Sequence, residues 1–424
     1  MNRTVVIVLA AIAALAAWSV LVGAGAREGW GRAMPAATGD TEGFIRWAES
    51  RYTAESKGNI AIVLLDHGRV AGTSFNSHGR SVDVHSLFQV ASLSKWLTAW
   101  GVMTLVEQGR IDLDAPVQHY LTRWQLPPSE FSNDEVTIRR LLSHTSGLTD
   151  DLGFLGFGPG EELPTIEQEL SHTSDVLPGQ NGVVHVGARP GSTWRYSGGG
   201  YLILQLLIEE VTHESFNDYM RRAVFEPLGM TASTFVDPDP GRLVDFYAAD
   251  GSPAVHYRFT ATGAASLYTS AADLTRFLKA QTGGPDAPSG RGVLSRATLE
   301  AMQAPEAGLY GLPVWGLGPT LYAPNSAGGF VIGHDGSNYP AINTTARIDP
   351  ATGNGIIVLS TGSTTLAREI GGEWLYWQTG TVGLDTIVLF DLSNILIVFA
   401  AGALVIVACA ILIGRSGRRR APSA

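Results

Sequence analysis

The chain has only three lysines, and one of them, Lys95, follows Ser92 by three residues. On a helix, residues three apart share a face with Cβ atoms about 5–6 Å apart, so the lysine amine can reach the serine hydroxyl. An amine in that place can remove the hydroxyl proton while the oxygen attacks a carbonyl carbon, which is nucleophilic catalysis. The pair alone is equally compatible with a solvated lysine on the first turn of a buried helix.

The residues that follow Ser92 do predict a helix. Apolar side chains recur every three or four positions, and Gly109 follows them as a C-terminal cap. The apolar positions are Leu93, Leu97, Trp100, Met103 and Val106. Ser92 then lies at the helix start, where unpaired backbone NH groups and the helix dipole favour a developing oxyanion.

Three further segments could supply partners to this pair: Tyr196-Ser197-Gly198, His334-Asp335-Gly336-Ser337 and Ser143-His144-Thr145-Ser146-Gly147. Free lysine and tyrosine have pKa values of about 10.4 and about 10, so either side chain needs desolvation or proximity to lower its pKa before it can act as a base. Without the other segments, Tyr196 is better explained as a core aromatic residue before a helix. We expect His144 to be structural and to bind backbone groups at a helix end.

Together with Ser92 and Lys95, these ordered segments closely resemble the serine β-lactamase-like family. That family contains class C β-lactamases, D-alanyl-D-alanine carboxypeptidases, penicillin-binding proteins and related esterases, and the resemblance covers about residues 42–370. It implies that Ser92 is acylated, that Lys95 shares or removes its proton, and that Tyr196 carries the proton to the leaving group and later activates water. It also implies an oxyanion hole made by the backbone NH groups of Ser92 and Ser337.

The remaining site residues come from the same resemblance and include two departures from it. His334 and Gly336 correspond to the family's Lys or His, x, Gly motif on the edge strand beside the cleft. Gly198 stands where the family's Tyr-x-Asn motif has asparagine, so a hydrogen bond to the lysine or to a substrate amide is missing. Asp335 adds an anion next to His334, which should disfavour a substrate carboxylate unless the Asp335 side chain points away from the cleft. Both departures favour a neutral acyl substrate over β-lactams and peptides.

The order of strand-like and helical segments predicts an α+β fold of the β-lactamase and transpeptidase type. Strand-like runs occur at residues 59–66 and 69–75 and again at 329–333, 341–348 and 355–361, with helical patterns between them. We therefore expect one antiparallel sheet built from both ends of the domain, with a large helical insertion. The helices include residues 94–108 and 201–211.

The two ends of the chain predict membrane helices. Residues 5–26 and 395–414 carry no charge, and each is long enough to cross about 30 Å of hydrocarbon. We assign residues 1–26 to a signal peptide or transmembrane helix, 27–41 to a linker, 42–380 to the hydrolase domain, 387–414 to a C-terminal transmembrane segment and 415–424 to a basic cytoplasmic tail. The catalytic domain then lies outside the cytoplasm.

Composition narrows the choice of partners. A net charge of -10 without a basic stripe argues against nucleic acid binding. The histidines lack metal-ligand spacing, so the sequence predicts no metal and no cofactor. The one cysteine, Cys409, lies in the C-terminal span, where we expect it to face lipid as an apolar filler.

The sequence therefore predicts a membrane-anchored, extracytoplasmic serine hydrolase that acts on an ester, amide or β-lactam through an acyl-enzyme. Its partner would be a small-molecule or peptidoglycan-like acyl substrate. The alternative is a catalytically silent β-lactamase-like binding or sensor module of the cell envelope, which the absent asparagine at Gly198 motivates. The sequence leaves open the substrate, the cleavage of the N-terminal segment and the oligomeric state.

Overall fold

The computed structural model describes residues 3–150, 153–176, 182–236, 238–283 and 288–418. The strands are β1 (Ile60–Asp66), β2 (Arg69–Asn76), β3 (Leu87–Gln89), β4 (Phe246–Tyr247), β5 (Pro253–Ala254), β6 (Tyr268–Ser270), β7 (Ala307–Leu309), β8 (Leu312–Trp315), β9 (Thr320–Pro324), β10 (Phe330–Asn338), β11 (Ile342–Ile348) and β12 (Gly355–Thr361).

The α-helices are α1 (Arg3–Arg27), α2 (Thr41–Glu55), α3 (Ser94–Glu107), α4 (Ile138–Leu142), α5 (Ile166–Ser171), α6 (Gly198–Thr212), α7 (Phe216–Met220), α8 (Glu226–Leu228), α9 (Thr262–Ala265), α10 (Ala271–Ala280), α11 (Arg296–Gln303), α12 (Leu366–Thr379), α13 (Leu384–Thr386) and α14 (Leu392–Arg418). Short 3₁₀ turns include Ala91–Leu93, directly before α3.

One antiparallel sheet joins the two ends of the domain. Its strand order is β2-β1-β12-β11-β10-β9-β8-β7, and β1 pairs with β12 so that Ile60 lies opposite Ser360. The prediction of an α+β fold with a sheet from both ends and helices between them is confirmed.

Strand β1, next to the edge strand β2, is buried on both faces, which explains its nearly continuous apolar sequence. Alternate residues of a strand point to opposite faces. Ala61, Val63 and Leu65 pack into the larger core with α3 and α10, whereas Ile60 and Ile62 pack into a smaller core with α2 and α12. The sheet is thus held rigidly between two helical layers, and its strand β10 can serve as a fixed wall of a cleft.

Two elements begin or end differently from the sequence prediction. The strand expected at 329–333 extends through Asn338, because β10 stays paired with β11 along the whole His334–Ser337 segment. The helix expected to begin at Tyr201 begins at Gly198, since the Ser197 hydroxyl caps it by accepting a bond from the Gly200 amide at 2.8 Å. Three successive glycines concealed that helix start, because glycine is a poor helix former.

The helices at the chain ends pack against each other. The Trp18 indole NH donates to the Phe399 carbonyl at 3.0 Å, and a Cβ on Gly402 would lie 2.1 Å from the Trp18 ring. In the described part of the chain, α1 and the helical stretch Leu384–Ser416 are each long and apolar enough to cross a membrane. Cys409 is exposed on the outer surface of this pair.

The domain ends of α1 and α14 lie beside each other on α12. The Val382 amide donates to the Arg27 carbonyl at 2.8 Å, and Arg32 forms ion pairs with Glu373 and Asp391. The two apolar helices therefore leave the domain from one place and run antiparallel.

Candidate active site

Ser92 lies in the 3₁₀ turn before α3, and Lys95 lies on the first turn of that helix. The Lys95 Nζ donates to the Ser92 Oγ at 3.2 Å and to the Ala264 carbonyl at 2.8 Å. Because burial disfavours the charged form, it lowers the pKa of Lys95 to about 7, against an opposing contribution from Asp150. A large fraction of Lys95 is then uncharged at neutral pH and can accept the serine proton.

A strained backbone presents Ser92. Ala91 is buried and has a φ of 50°, which costs an L-residue about 1–2 kcal/mol. Strand β10 holds this turn closely: the Thr344 hydroxyl of its neighbour β11 donates to the Val90 carbonyl at 2.9 Å, and a Cβ on Gly336 would lie 2.1 Å from that carbonyl oxygen. Gly336 is therefore required for the sheet to approach the turn that carries Ser92.

Tyr196 lies on the other side of the serine. Its hydroxyl hydrogen-bonds to Ser92, and the Lys95 Nζ lies 5.1 Å from the centre of its ring. Desolvation raises the pKa of Tyr196, which is opposite to the lowering that the sequence led us to expect for this residue. Tyr196 therefore keeps its proton at neutral pH and can donate it.

The segment after Tyr196 is fixed by two buried side chains. The Ser197 amide donates to the His144 Nδ1 at 3.1 Å, and burial lowers the pKa of His144 well below its usual value. Asp150 accepts bonds from the Ser197 hydroxyl at 2.7 Å and from the Gly199 amide at 2.9 Å. Sequence reasoning missed Asp150, although an acidic residue shortly after the Ser-His-Thr-Ser-Gly segment was visible.

His334 lies on β10 and forms part of the cleft wall. In the neutral tautomer with the proton on Nδ1, this nitrogen donates to the Asp335 carbonyl at 2.6 Å. Nε2 is buried and has no hydrogen-bond partner among the described residues. Burial and the neighbouring Lys95 lower the pKa of His334 to about 4. His334 is thus a neutral ring with a free acceptor nitrogen.

Asp335 lines the cavity and has an ion-pair partner, so its effect on a substrate carboxylate stays a prediction. Arg347 is fully buried and donates to Asp335 at 3.2 Å and to Asp385 at 2.8 Å, so the carboxylate is paired. Arg368 brings a further positive charge to the cavity wall. Arg347, Asp385 and Arg368 were not identified from the sequence, because they lie in no recognisable motif and come together only in the folded chain.

Two cavities meet at Ser92. One, of about 410 Å³, contains Tyr196, His334 and Ser337 in its wall. The other, of about 730 Å³, is lined by Lys95, Ser337 and Asn338. Ser92, Tyr196 and Ser337 line both, so the structure brings together all the sequence-predicted site residues except Gly198, which begins α6 and lines neither cavity. Among the described residues, no group of three or more His, Cys, Asp or Glu side chains could hold a metal ion.

Comparison with known proteins agrees with this geometry. A family model described as Beta-lactamase matches residues 45–381. Penicillin-binding protein 4 of Amycolatopsis lactamdurans is 30% identical over 337 residues, which cover 72% of this chain and 82% of that protein. Penicillin-binding protein 4* of Bacillus subtilis (strain 168) is 35% identical, over 36% of this chain and 31% of that protein.

Solved structures show the same fold. An octameric penicillin-binding protein homologue from Pyrococcus abyssi matches with a TM-score of 0.64 and 23% identity, over 80% of this chain and 77% of that one. A β-lactamase/D-alanine carboxypeptidase from Yersinia pestis matches with a TM-score of 0.60 and 18% identity, over 78% of this chain and 95% of that one. The chain therefore belongs to the β-lactamase family, together with the penicillin-binding proteins that it resembles in sequence.

Proposed function

We propose that this protein is a membrane-anchored serine hydrolase that works outside the cytoplasm through an acyl-enzyme on Ser92. The observation that carries the proposal is the contact between the Ser92 Oγ and a buried Lys95 amine whose pKa is lowered to about 7. The two apolar terminal helices support the anchor, and the basic residues after the second one favour a cytoplasmic tail.

The reaction follows from the protonation states of the two partners. Uncharged Lys95 takes the proton of Ser92 as its Oγ attacks the substrate carbonyl, and the backbone NH groups of Ser92 and Ser337 hold the oxyanion. Tyr196 gives its proton to the leaving group and regains one from Lys95. Water then enters, loses a proton along the same path in reverse, and releases the acid from Ser92.

The substrate is an ester, an amide or a β-lactam, and the site favours esters. Gly198 offers no side-chain amide to a peptide or to Lys95, and an ester needs no such bond to its reacting group. A structure with the same fold is a hydrolase named EstCE1 with promiscuous acyltransferase activity, which matches with a TM-score of 0.62 and 20% identity over 79% of this chain and 96% of that one. That likeness supports the fold alone.

The direct test measures acylation and turnover in the full chain. We expect a fluorescent fluorophosphonate to label Ser92 and p-nitrophenyl butyrate to be hydrolysed, with nitrocefin and a D-alanyl-D-alanine peptide turned over more slowly. Ser92→Ala should abolish labelling and turnover, and Lys95→Ala should lower kcat/KM by about 100-fold or more, as loss of a proton-transfer group does.

The same assays separate the enzyme from the silent binding module. If folded protein reacts with neither the fluorophosphonate nor fluorescent penicillin and hydrolyses no ester, the hydrolase proposal fails and the binding module takes its place. Circular dichroism of each variant confirms that a loss of activity does not come from unfolding.

A further inference from the structure

The smaller cavity beside Ser92 has an apolar wall, which is formed by the segment before α14 and by the β7–β8 hairpin. Leu384, Val388 and Leu389 form one side, and they belong to the segment that runs directly into α14. Leu309 and Val314 of the β7–β8 hairpin form the other side. The C-terminal membrane segment and the nucleophile therefore border the same cavity.

Both segments that form this wall also carry exposed apolar side chains. Val388 and Leu389 are 47% and 49% exposed, although each also lines the cavity. On the hairpin, Tyr310 is 85% exposed and Leu312 is 40% exposed. Exposed apolar groups that gather at one place mark a surface that meets a membrane or an apolar ligand. Here the surface is continuous with a helix apolar enough to lie in a membrane.

The charged residues of the wall do not oppose an apolar occupant. Asp335 and Asp385 share the single positive charge of the buried Arg347 guanidinium. Arg368 in the same wall adds a second positive charge, so the two negative charges are balanced. Arg368 and His334 lie with Ser92 and Tyr196 around the reacting group, where an ester is polar. The cavity of about 410 Å³ is within the usual range for a bound small molecule.

We infer that the substrate is a long-chain acyl ester resident in the membrane, whose hydrocarbon chain enters this cavity from the bilayer past Val388 and Leu389. The inference rests on the proposed function. The Ser92 Oγ forms a bond to the ester carbonyl carbon, and the bond from that carbon to the alcohol oxygen breaks. The alcohol leaves with one proton through the larger, more polar cavity, and water then releases the fatty acid.

The test compares two fluorophosphonates on the full chain in phosphatidylcholine vesicles, one with an ethyl chain and one with a dodecyl chain on phosphorus. Mass spectrometry measures the rate at which each labels Ser92. We expect the dodecyl probe to react on the order of 100-fold faster, because each buried methylene contributes about fourfold and burial of roughly three to four of the additional methylenes gives this ratio. The ester pair p-nitrophenyl butyrate and p-nitrophenyl dodecanoate should show the same order in kcat/KM.

The dodecyl probe also partitions into the vesicles, which would raise its labelling rate without binding in the cavity. Variants of the cavity wall distinguish the two effects. Val388→Trp fills the cavity and should lower the dodecyl-to-ethyl ratio by about tenfold or more, as steric loss in an apolar pocket does. Leu309→Trp repeats the test from the opposite wall. Leu392→Trp, an exposed position one turn along that does not line the cavity, should leave both rates unchanged.

The outcomes separate the two levels of the argument. If neither probe labels Ser92 in folded protein, the proposed function fails. If the ethyl probe labels Ser92 but the dodecyl probe is no faster, the inference alone is overturned. It is also overturned if Val388→Trp and Leu309→Trp change the ratio no more than Leu392→Trp does, or if a D-alanyl-D-alanine peptide is the better substrate.

Discussion

At the scale of single residues, burial separates the proton affinities of the two groups that contact Ser92. It lowers the pKa of Lys95 to about 7 and raises that of Tyr196, because desolvation disfavours an ammonium and a phenolate alike. A pair of titratable groups driven apart in this way has distinct roles as acceptor and donor. In the proposed acylation step, Lys95 accepts the proton of Ser92 and Tyr196 donates one to the leaving group.

This separation sets the pH dependence of the hydrolysis. Since Lys95 must be uncharged in the free enzyme, kcat/KM should rise with pH, reach half of its maximum near pH 7 and then stay level. Tyr196 should not lose its proton below about pH 9, because its pKa lies above the ordinary value of about 10. Steady-state rates with p-nitrophenyl butyrate between pH 5 and 9 would check this, and a falling limb below about pH 8 would contradict the role of Tyr196.

Asp150 should affect the pH of the rising limb of kcat/KM. Its negative charge raises the pKa of Lys95 against the effect of burial, so Asp150→Asn should move the limb to lower pH. The same change weakens the bonds to Ser197 and Gly199 and should cost about 1–3 kcal/mol of stability. A merely structural role would lower the melting temperature and leave the pH of the limb in place, so both are measured.

The sequence pointed to Ser92, Lys95, Tyr196 and His334 because their motifs are short and local. Their pKa shifts could not be predicted from the sequence, since the shifts depend on burial and on residues distant along the chain. The sign of the Tyr196 shift was wrong for that reason.

At the scale of elements, strand β10 forms a wall of the site, and its neighbour β11 supplies the ion-pair partner of the one acidic residue in that wall segment. Asp335 on β10 pairs across the strands with Arg347 on β11, which also binds Asp385 just before the C-terminal helix. The sheet and the segment leading to α14 are thus joined through one buried guanidinium. Periodicity in the sequence identified the sheet, but the ends of β10 and α6 depend on pairing and capping that a pattern does not encode.

Removal of the Arg347 guanidinium should lower the free energy of unfolding. Arg347→Met leaves two carboxylates without their partner beside the cleft, and breaking a buried ion pair costs about 3–5 kcal/mol. Thermal unfolding of the full chain in detergent would show a melting temperature lower by roughly 5 °C or more. Arg46→Met is the matched control, because Arg46 is 65% exposed and its change should stay within about 0.5 kcal/mol. Equal melting temperatures for the two variants would refute this.

At the scale of the whole molecule, two antiparallel apolar helices leave one side of a family domain. Because α1 enters the domain where α14 leaves it, the chain termini should lie together on one side of the membrane and the domain on the other. Composition and length in the sequence located both helices, but their contact through Trp18 and Gly402 is visible only in the fold.

This topology is tested by labelling single cysteines in spheroplasts, in a Cys409→Ser background. Cysteines at positions 2 and 421 should resist a membrane-impermeant maleimide until the membrane is lysed, whereas one at Arg296, whose side chain is 83% exposed on the domain, should react at once. The protein should remain in the membrane after alkaline carbonate extraction. Labelling of position 2 or 421 in intact spheroplasts, or release by carbonate, would contradict the arrangement.

The joined ends of the domain have a mechanical consequence. A domain on one flexible stalk can swivel and sample every direction. In the proposed anchoring, the Val382–Arg27 bond and the Arg32 ion pairs fix this domain at two adjacent points, so it should keep one orientation on the bilayer. The cavity side formed by Val388 and Leu389 should then stay in contact with the membrane surface. The rate of such an enzyme follows the surface density of its substrate rather than the bulk concentration.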